Sequence, residues 1–227
     1  MTEIKDLIQG FQRFKFNYFE PNRELFNRLA MQGQTPRTML IGCSDSRVDP
    51  AMLTDAAPGD LFVVRNVANL VPPYEVTGGY HGTSAALEFA VCHLKVSNII
   101  VMGHSHCGGI KALLESGGED GEHSEGAEND GFIAPWVKIA SVARNEVLQH
   151  WSDAGHELQQ RACERVSIRT SLDNLMTFPF IRQRVEEGYL QLYGWYYDLE
   201  SGELMQYDPD KDRFYDLYFG TMTKEGN

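Results

Sequence analysis

The chain has 227 residues, of which 42% are hydrophobic and 23% are charged, and these proportions exclude a wholly disordered chain. Its formal net charge is −12 at pH 7. So acidic a chain repels nucleic-acid phosphates and anionic lipid, and we expect neither nucleic acid nor a membrane among its partners. No apolar run reaches the roughly 18 residues that a membrane span requires.

The amino-terminal sequence MTEIKDLIQGF is polar and amphipathic, and it lacks the apolar core of a secretory signal. We therefore expect a cytoplasmic protein, with targeting to an organelle or a microcompartment left open. Four cysteines in a chain of this length do not make a disulfide scaffold. In a reducing compartment they are expected to be buried, catalytic or metal-bound thiols.

Residues 1–33 are predicted to form a helical arm. Apolar residues recur with a helical period from Ile4 to Phe19, and a second helix is predicted over Arg23–Gln32, just after Pro21. The first stretch carries more aromatic residues than one face of a lone surface helix needs. The arm is therefore expected to pack on another subunit or to fold back over the body of the protein.

Three short apolar runs, each followed by a polar or glycine-rich loop, are typical of buried parallel strands. They lie at residues 38–42, 60–65 and 97–103. A helical stretch over Thr83–Lys95, with Thr83 or Ser84 as its N-cap, separates the second run from the third. This order predicts a right-handed crossover and an α/β fold with a mainly parallel, doubly wound sheet flanked by helices.

The rest of the chain predicts helices followed by a pair of antiparallel strands. The helical stretches cover residues 136–150, 157–170 and 181–187. Alternation at 189–198 indicates a strand, and a turn at 200–202 leads into a return strand at 203–207. The return strand is the expected C-terminal antiparallel edge of the sheet.

Residues 117–130 hold six acidic residues and no lysine or arginine, which predicts an acidic surface loop. The loop could bind a partner, but a plain insertion is favoured, because long polar loops usually carry no chemistry. We find no break in composition and no internal repeat. The chain is therefore predicted to form a single domain over residues 1–227.

A cysteine ends the first predicted strand, and an H-x-x-C motif ends the third. Loops at the carboxyl ends of neighbouring parallel strands line one crevice, so Cys43, His104 and Cys107 can converge there. Two thiolates and an imidazole are ligands that zinc prefers, and three protein ligands leave a fourth position for water. From residue types alone, a catalytic metal site and ordinary buried thiols are about equally supported.

Asp45 and Arg47 follow Cys43 in the same loop, where a buried crevice is expected. Burying either charge alone is costly, so the two side chains are expected to pair. The pair could simply brace the loop. Alternatively, the arginine keeps the carboxylate ionised so that it accepts a hydrogen bond from a zinc-bound water.

The segments CSDSRVDP, LFVVRNVAN, GTSAALEFAV and GHSHCGG together resemble the β-class carbonic anhydrases. The resemblance is greatest to the plant-type subgroup and to similar bacterial and cyanobacterial enzymes. It runs from about Gln34 to Leu114 and resumes weakly over residues 188–202.

The resemblance implies a catalytic centre with one Zn²⁺ per subunit, held by Cys43, His104 and Cys107. It implies Asp45 and Arg47 as the catalytic dyad. Losing the arginine is expected to let Asp45 swing onto the metal and close the site, a state expected chiefly at low pH.

The resemblance also implies a substrate pocket. Gln34 corresponds to a glutamine that reaches the neighbouring subunit's site. Phe62 and Val67 match apolar residues on the CO₂ side, and Gly108 offers a backbone N–H toward the substrate. Phe89 departs from the pattern because it replaces a tyrosine common in the plant group, so the tyrosine hydroxyl is missing there.

Proton transfer to solvent requires a carrier, and several histidines are candidates. His93 lies four residues after Phe89, on the same helix face, and matches a histidine suggested as a proton carrier in plant enzymes. A histidine that simply forms a hydrogen bond at an interface fits equally well. His81 and His106 are further candidates.

Another bacterial subgroup carries a second, inhibitory bicarbonate pocket built on a tryptophan three residues before the first zinc cysteine. Leu40 occupies that position here, so we expect no such pocket although Arg65 is present.

The resemblance thus implies a carbonic anhydrase, a zinc lyase that interconverts CO₂ and bicarbonate and works as a homodimer or a dimer-based higher oligomer. One alternative is a carbon disulfide or carbonyl sulfide hydrolase on the same scaffold. The other is an inactive, zinc-holding structural or regulatory paralogue.

Overall fold

The structure, a computed structural model, describes residues 3–76, 79–115 and 131–217. The predicted acidic loop at 117–130 lies outside the described residues. Within them, none of the helices combines the length and the apolar character that crossing a bilayer requires.

A six-stranded sheet runs through the described residues, in the order β2-β1-β3-β4-β5-β6. The first four strands in this order are parallel, and β5 and β6 are added antiparallel. The strands are β1 (Thr38–Cys43), β2 (Leu61–Asn66), β3 (Asn98–His104), β4 (Gln191–Tyr197), β5 (Leu204–Asp208) and β6 (Arg213–Asp216).

The register places the ends of β1 and β3 at one edge of the sheet. The two strands pair in parallel, with Thr38 opposite Asn98 and Gly42 opposite Met102. Cys43 and His104 are the last residues of their strands. The predicted crevice at the carboxyl ends of neighbouring strands is therefore present.

Nine α-helices are described around the sheet. They are α1 (Ile4–Phe14), α2 (Arg23–Gln32), α3 (Pro50–Thr54), α4 (Gly82–Glu88), α5 (Gly108–Glu115), α6 (Ile133–Val137), α7 (Ser141–His150), α8 (His156–Leu175) and α9 (Pro179–Glu186). Both α1 and α4 continue into one π-helical turn, at Lys15–Phe19 and Phe89–His93. A short 3₁₀ turn at Val67–Asn69 follows β2.

The longest described helix, α8, packs across the middle of the sheet, because glycines open space for it. A Cβ on Gly103 of β3 would lie 2.8 Å from Ile168 Cδ1, and one on Gly194 of β4 would lie 2.8 Å from Ile168 Cγ2. Ile168 is fully buried and belongs to the main core cluster. The helix therefore lies directly on β3 and β4, next to the end of β3 that carries His104.

The arm packs against itself through aromatic rings. Phe26 of α2 contacts Phe14, Tyr18 and Phe19, with ring centroids 6.1, 6.2 and 4.7 Å apart. None of the α1 residues is buried, and its apolar side chains are exposed, namely Ile4, Leu7, Ile8, Phe11 and Phe14. The helix α1 does not fold back over the body of its own chain, which was one of the two expectations.

Most predicted elements are present, and the differences have local causes. The N-cap of α4 is His81 and not Thr83 or Ser84, so the helix begins about one residue earlier, at Gly82. The helix predicted to end at Thr170 continues to Leu175 in α8, because Ser171 and Leu175 are buried on its inner face.

Three short elements were not predicted. In α3, the Asp49 carboxylate accepts hydrogen bonds from the first-turn N–H groups, and Pro50 occupies the first turn, which is a helix-start signal in the sequence. The helix α5 begins with two glycines, which are poor helix formers, so the sequence does not predict a helix there. The four-residue β6 covers the outer side of β5, so the antiparallel edge of the sheet is β6 and not the predicted return strand.

Candidate metal centre

Three buried side chains meet where β1 and β3 end. One ligand-type atom from each of Cys43, His104 and Cys107 lies within 4.8 Å of the others. The two Sγ atoms are 4.0 Å apart, and all three residues are at most 5% exposed. The sequence placed these residues at strand ends, and the parallel register brings them together.

The imidazole of His104 has one nitrogen available. Its Nδ1 lies 2.8 Å from the carbonyl oxygen of Ser105, and since a carbonyl can only accept, Nδ1 carries the proton. Its Nε2 is buried and has no hydrogen-bond partner. A buried, unpartnered Nε2 beside two thiols is the donor set that suits zinc, so the residues fit this metal.

The environment favours a thiolate at Cys43. The Cys107 thiol donates to Cys43 Sγ, and this hydrogen bond lowers the pKa of Cys43 and raises that of Cys107. Burial alone lowers the pKa of His104, but the negative charge of the neighbouring Cys43 outweighs burial, so the pKa is raised. A thiolate is the form of cysteine that binds a metal cation.

Asp45 and Arg47 form a bidentate pair beside this cluster. The Asp45 Oδ1 accepts from the backbone N–H and the Nε of Arg47, both at 2.9 Å, and Oδ2 accepts from Nη2 at 2.7 Å. These hydrogen bonds hold the pKa of Asp45 well below its usual range. The carboxylate is therefore ionised and held by its own loop. The Nη2 also donates to the carbonyl of His106 at 3.2 Å, which connects the pair to the loop after β3.

Arg65 holds the backbone of the same loop, a role that sequence reasoning missed. Its Nε donates to the carbonyl of Cys43 at 2.9 Å, and its Nη2 donates to the carbonyl of Asp45 at 2.6 Å. Its Nη1 pairs with Asp49 at 2.9 Å. An arginine inside the otherwise apolar run LFVVRN was the available signal.

A buried glutamate behind Cys107 was also missed. Glu164 of α8 is 2% exposed, and its Oε1 accepts from the Cys107 N–H at 2.8 Å and from Gln160 Nε2 at 3.0 Å. Its Oε2 accepts from the Tyr196 hydroxyl at 2.9 Å. Burial raises the pKa of this carboxyl group. Cys107 and Tyr196 lie far from Glu164 along the chain, so no local pattern marks these two contacts.

His106, between two of the clustered residues, points outward. It adopts a left-handed backbone conformation with φ of 58°. Its Nε2 lies 2.9 Å from Glu200 Oε1, and the other oxygen of Glu200 pairs with Arg161. His106, a candidate proton carrier in the sequence, is therefore not one of the three clustered ligand-type side chains.

The structure places two of the predicted pocket residues close to the cluster. Val67 is partly buried and packs against the buried side-chain cluster that contains Cys43 and Cys107, and its Cγ1 would lie 2.8 Å from a Cβ on Gly109. Gly108 is exposed, with open space where a Cβ would be.

The other predicted pocket residues are not brought to the cluster within this chain. Phe62 packs against the main core and contacts Phe89, with ring centroids 5.8 Å apart. The Phe89 ring lies 5.5 Å from that of exposed His93, which fits their shared helix face. Gln34 is exposed between α2 and β1. Their roles remain predictions.

Comparison with known proteins identifies relatives over most of the chain. The family model described as carbonic anhydrase matches residues 38–204. A carbonic anhydrase of Synechocystis sp. is 41% identical over 205 residues, which cover 90% of this chain and 71% of that protein. The β-carbonic anhydrase 3 of Arabidopsis thaliana is 38% identical and covers 89% of this chain and 76% of the relative.

Solved structures agree with these relatives. The β-carbonic anhydrase CcaA is 39% identical, with a TM-score of 0.85 over 95% of this chain and 92% of that one. A structure described as one of two tetrameric β-carbonic anhydrases from Sordaria macrospora is 28% identical, with a TM-score of 0.74 over 95% and 96%. On the match to the family model and to these relatives, the chain belongs to the β-class carbonic anhydrase family.

Proposed function

We propose that the protein catalyses the reversible hydration of CO₂ to bicarbonate and a proton, with one Zn²⁺ per subunit. The observation that carries the proposal is the buried cluster of Cys43, His104 and Cys107, with His104 Nε2 unpartnered, beside the Asp45–Arg47 pair. These three side chains would hold the metal. Bound zinc would supply Lewis acidity that makes a water molecule acidic enough to act as a nucleophile near neutral pH.

The dyad is proposed to orient that water. Asp45 Oδ1 already accepts two hydrogen bonds from Arg47, whereas Oδ2 accepts one and has a lone pair left. Because its pKa is lowered, the carboxylate stays an acceptor across the physiological range. Arg47 keeps Asp45 turned toward its own guanidinium, which opposes the swing of the carboxylate onto the metal.

The proposed substrate contacts follow the same assignment. Val67 supplies an apolar wall suited to CO₂, and Gly108 supplies a backbone N–H for the oxygen that becomes negative. Phe62 and Gln34 would act at the site of a neighbouring subunit, since they do not join the cluster of their own chain. His93 is exposed and is proposed to pass the proton to solvent or buffer.

Stopped-flow CO₂ hydration tests the dyad. We expect Asp45→Asn and Arg47→Ala to lower kcat/KM by about 10²-fold or more, a typical loss when a positioned proton acceptor is removed, with zinc content unchanged. Arg182→Ala, at an exposed position on α9, is the matched control and should keep the wild-type rate. Dyad variants that hydrate CO₂ at the wild-type rate would contradict the assignment.

The same assay separates the alternatives. Turnover of CS₂ or COS with CO₂ hydration at the uncatalysed rate would favour a hydrolase on this scaffold. A zinc-loaded wild-type protein inactive toward all three substrates would favour the structural or regulatory paralogue.

A homodimer, or a higher oligomer of dimers, is part of the proposal. The apolar face of α1 is uncovered in its own chain, and a described relative, from Sordaria macrospora, is tetrameric. Leu7→Glu places a charge on that face, so we expect it to lower the sedimenting mass, whereas Gln12→Glu on the polar face should not. Equal masses for wild type and Leu7→Glu would exclude α1 as an interface.

The remaining assignments are proposed on simpler grounds. Residues 1–227 are proposed as one domain, because the family match spans 38–204 and one sheet runs through the described body. A cytoplasmic location is supported by the four cysteines, all of which are unpaired.

A further inference from the structure

A cleft of about 670 Å³ lies outside the proposed catalytic centre, between α8, the end of α7 and the β5–β6 hairpin. Its size is within the range of small-molecule sites. None of the three clustered ligand-type residues lines it. The lining instead combines arginines with apolar side chains.

Three of the arginines occupy successive turns of α8, at positions 161, 165 and 169. This spacing of four residues places them on one face of the helix. Arg161 pairs with Asp198 and Glu200, and Arg169 pairs with Glu146 and Asp212. The outer two guanidinium groups are therefore neutralised by carboxylates.

Among the described residues, no carboxylate lies within ion-pair distance of the middle arginine, Arg165, and Asp198 acts on its charge only from farther away. Arg165 Nε is buried without a hydrogen-bond partner, and its Nη2 has only the Sδ of Met205 at 3.7 Å. Its guanidinium carbon lies 4.8 Å from the centroid of the Tyr196 ring. A cation packed on a ring and a thioether, with N–H groups unused, is a preorganised anion site.

Another part of the cleft wall is apolar. It includes Trp151, Leu158 and Phe214, and the first two are 42% and 62% exposed. An inorganic anion would leave this wall in water, whereas an organic anion would cover it. We propose that the cleft binds a small organic anion whose phosphate or carboxylate pairs with Arg165 and whose apolar body packs on Trp151.

Isothermal titration of the zinc-loaded protein tests this with phenyl phosphate, benzoate and inorganic phosphate as probes. We expect phenyl phosphate or benzoate to bind more tightly than inorganic phosphate, and the stronger of the two identifies the preferred charged group. Arg165→Gln should weaken binding by about tenfold or more, the value of a charge-assisted hydrogen bond. Arg165→Lys, which keeps the charge, should retain part of the affinity.

Two further variants locate the probe. Trp151→Ala should weaken phenyl phosphate and leave inorganic phosphate unchanged, and Arg182→Gln should bind as wild type. A probe that instead binds at the metal would be unaffected by Arg165→Gln, and this result would overturn the proposal.

Two more outcomes would also overturn it. One is equal affinity for phenyl phosphate, benzoate and inorganic phosphate. The other is that no probe binds and that Arg165→Gln changes the sedimenting mass of the protein. This result would show that the cleft is occupied by a second copy of the chain. Melting curves of each variant show that the comparison is made on folded protein.

Discussion

Arg65 connects the two residues on which the proposed chemistry depends. Its guanidinium group donates to the carbonyl oxygens of Cys43 and Asp45, which bracket the loop after β1, and it is anchored in turn by Asp49. A planar group with three donors in fixed directions holds two carbonyls and a carboxylate at once, which lysine cannot do. Arg65 is therefore a positioning residue for the loop.

We expect Arg65→Met to lower the free energy of unfolding by about 1–3 kcal/mol, because two loop carbonyls lose a charged donor. It should also lower kcat for CO₂ hydration, with KM less affected, since Asp45 would lose its fixed position. Arg65→Lys should recover part of the loss, and Arg182→Met is the control. Urea unfolding and stopped-flow kinetics measure both effects, and unchanged kcat in Arg65→Met would refute the positioning role.

The proposed metal ligands were more predictable from the sequence than the residues that support them. Cys43, His104 and Cys107 could be predicted because strand ends in a parallel sheet share one edge. The contacts of Arg65 with Cys43 and Asp45, and that of Glu164 with the Cys107 N–H, could not be predicted, because these partners lie more than fifteen positions away along the chain. Such contacts depend on how the elements pack, which no local pattern contains.

Among the elements, the strands were the most predictable. The runs at 38–42, 60–65 and 97–103 differ from β1, β2 and β3 by about one residue at their ends. A buried parallel strand is apolar throughout, so its signal is strong. The π-helical turns and the four-residue β6 left no such signal, because each has only four or five residues, too few for a repeated pattern to stand out.

The packing of α8 on glycines in β3 and β4 leads to a prediction. Gly103→Ala and Gly194→Ala should each cost about 1–3 kcal/mol of unfolding free energy, because the new Cβ would overlap Ile168 in a filled core. Ile168→Val removes Cδ1 but keeps Cγ2, so it should relieve part of the cost of Gly103→Ala and none of that of Gly194→Ala.

Gly82→Ala is the control for this pair, since nothing lies within 4 Å of its Cβ position. Chemical denaturation of the single and double variants measures the differences. Equal relief of both glycine variants by Ile168→Val would show that the overlap is not with the atoms named.

For the molecule as a whole, ion pairs on the outer side of α8 should make stability depend on acid pH. The Tyr207 hydroxyl and then Arg169 hold the pKa of Asp212 below its usual range. A carboxyl group whose pKa is lowered on folding stabilises the protein above its unfolded pKa, about 3.9 for aspartate. That contribution is lost as the pH falls through the lower, folded value.

Asp212→Asn should therefore be less stable than wild type at pH 7, and the difference should shrink as the pH falls below about 4. Asparagine tolerates the positive φ of 46° at this position, so the backbone is not strained. Asp210→Asn on the same turn is the control. A stability difference that is constant from neutral to acid pH would rule out titration of Asp212 as its cause.

The positions of the proposed ligands also bear on how quickly a bound metal could be exchanged. Cys43 and His104 end neighbouring strands inside the sheet, and Cys107 immediately precedes α5. No ligand can therefore withdraw on a surface loop alone, because each movement would disturb a central strand or a helix start. Release of the ion to a chelator should then be slow, and the half-life of the bound ion should follow the rate of global unfolding of the protein.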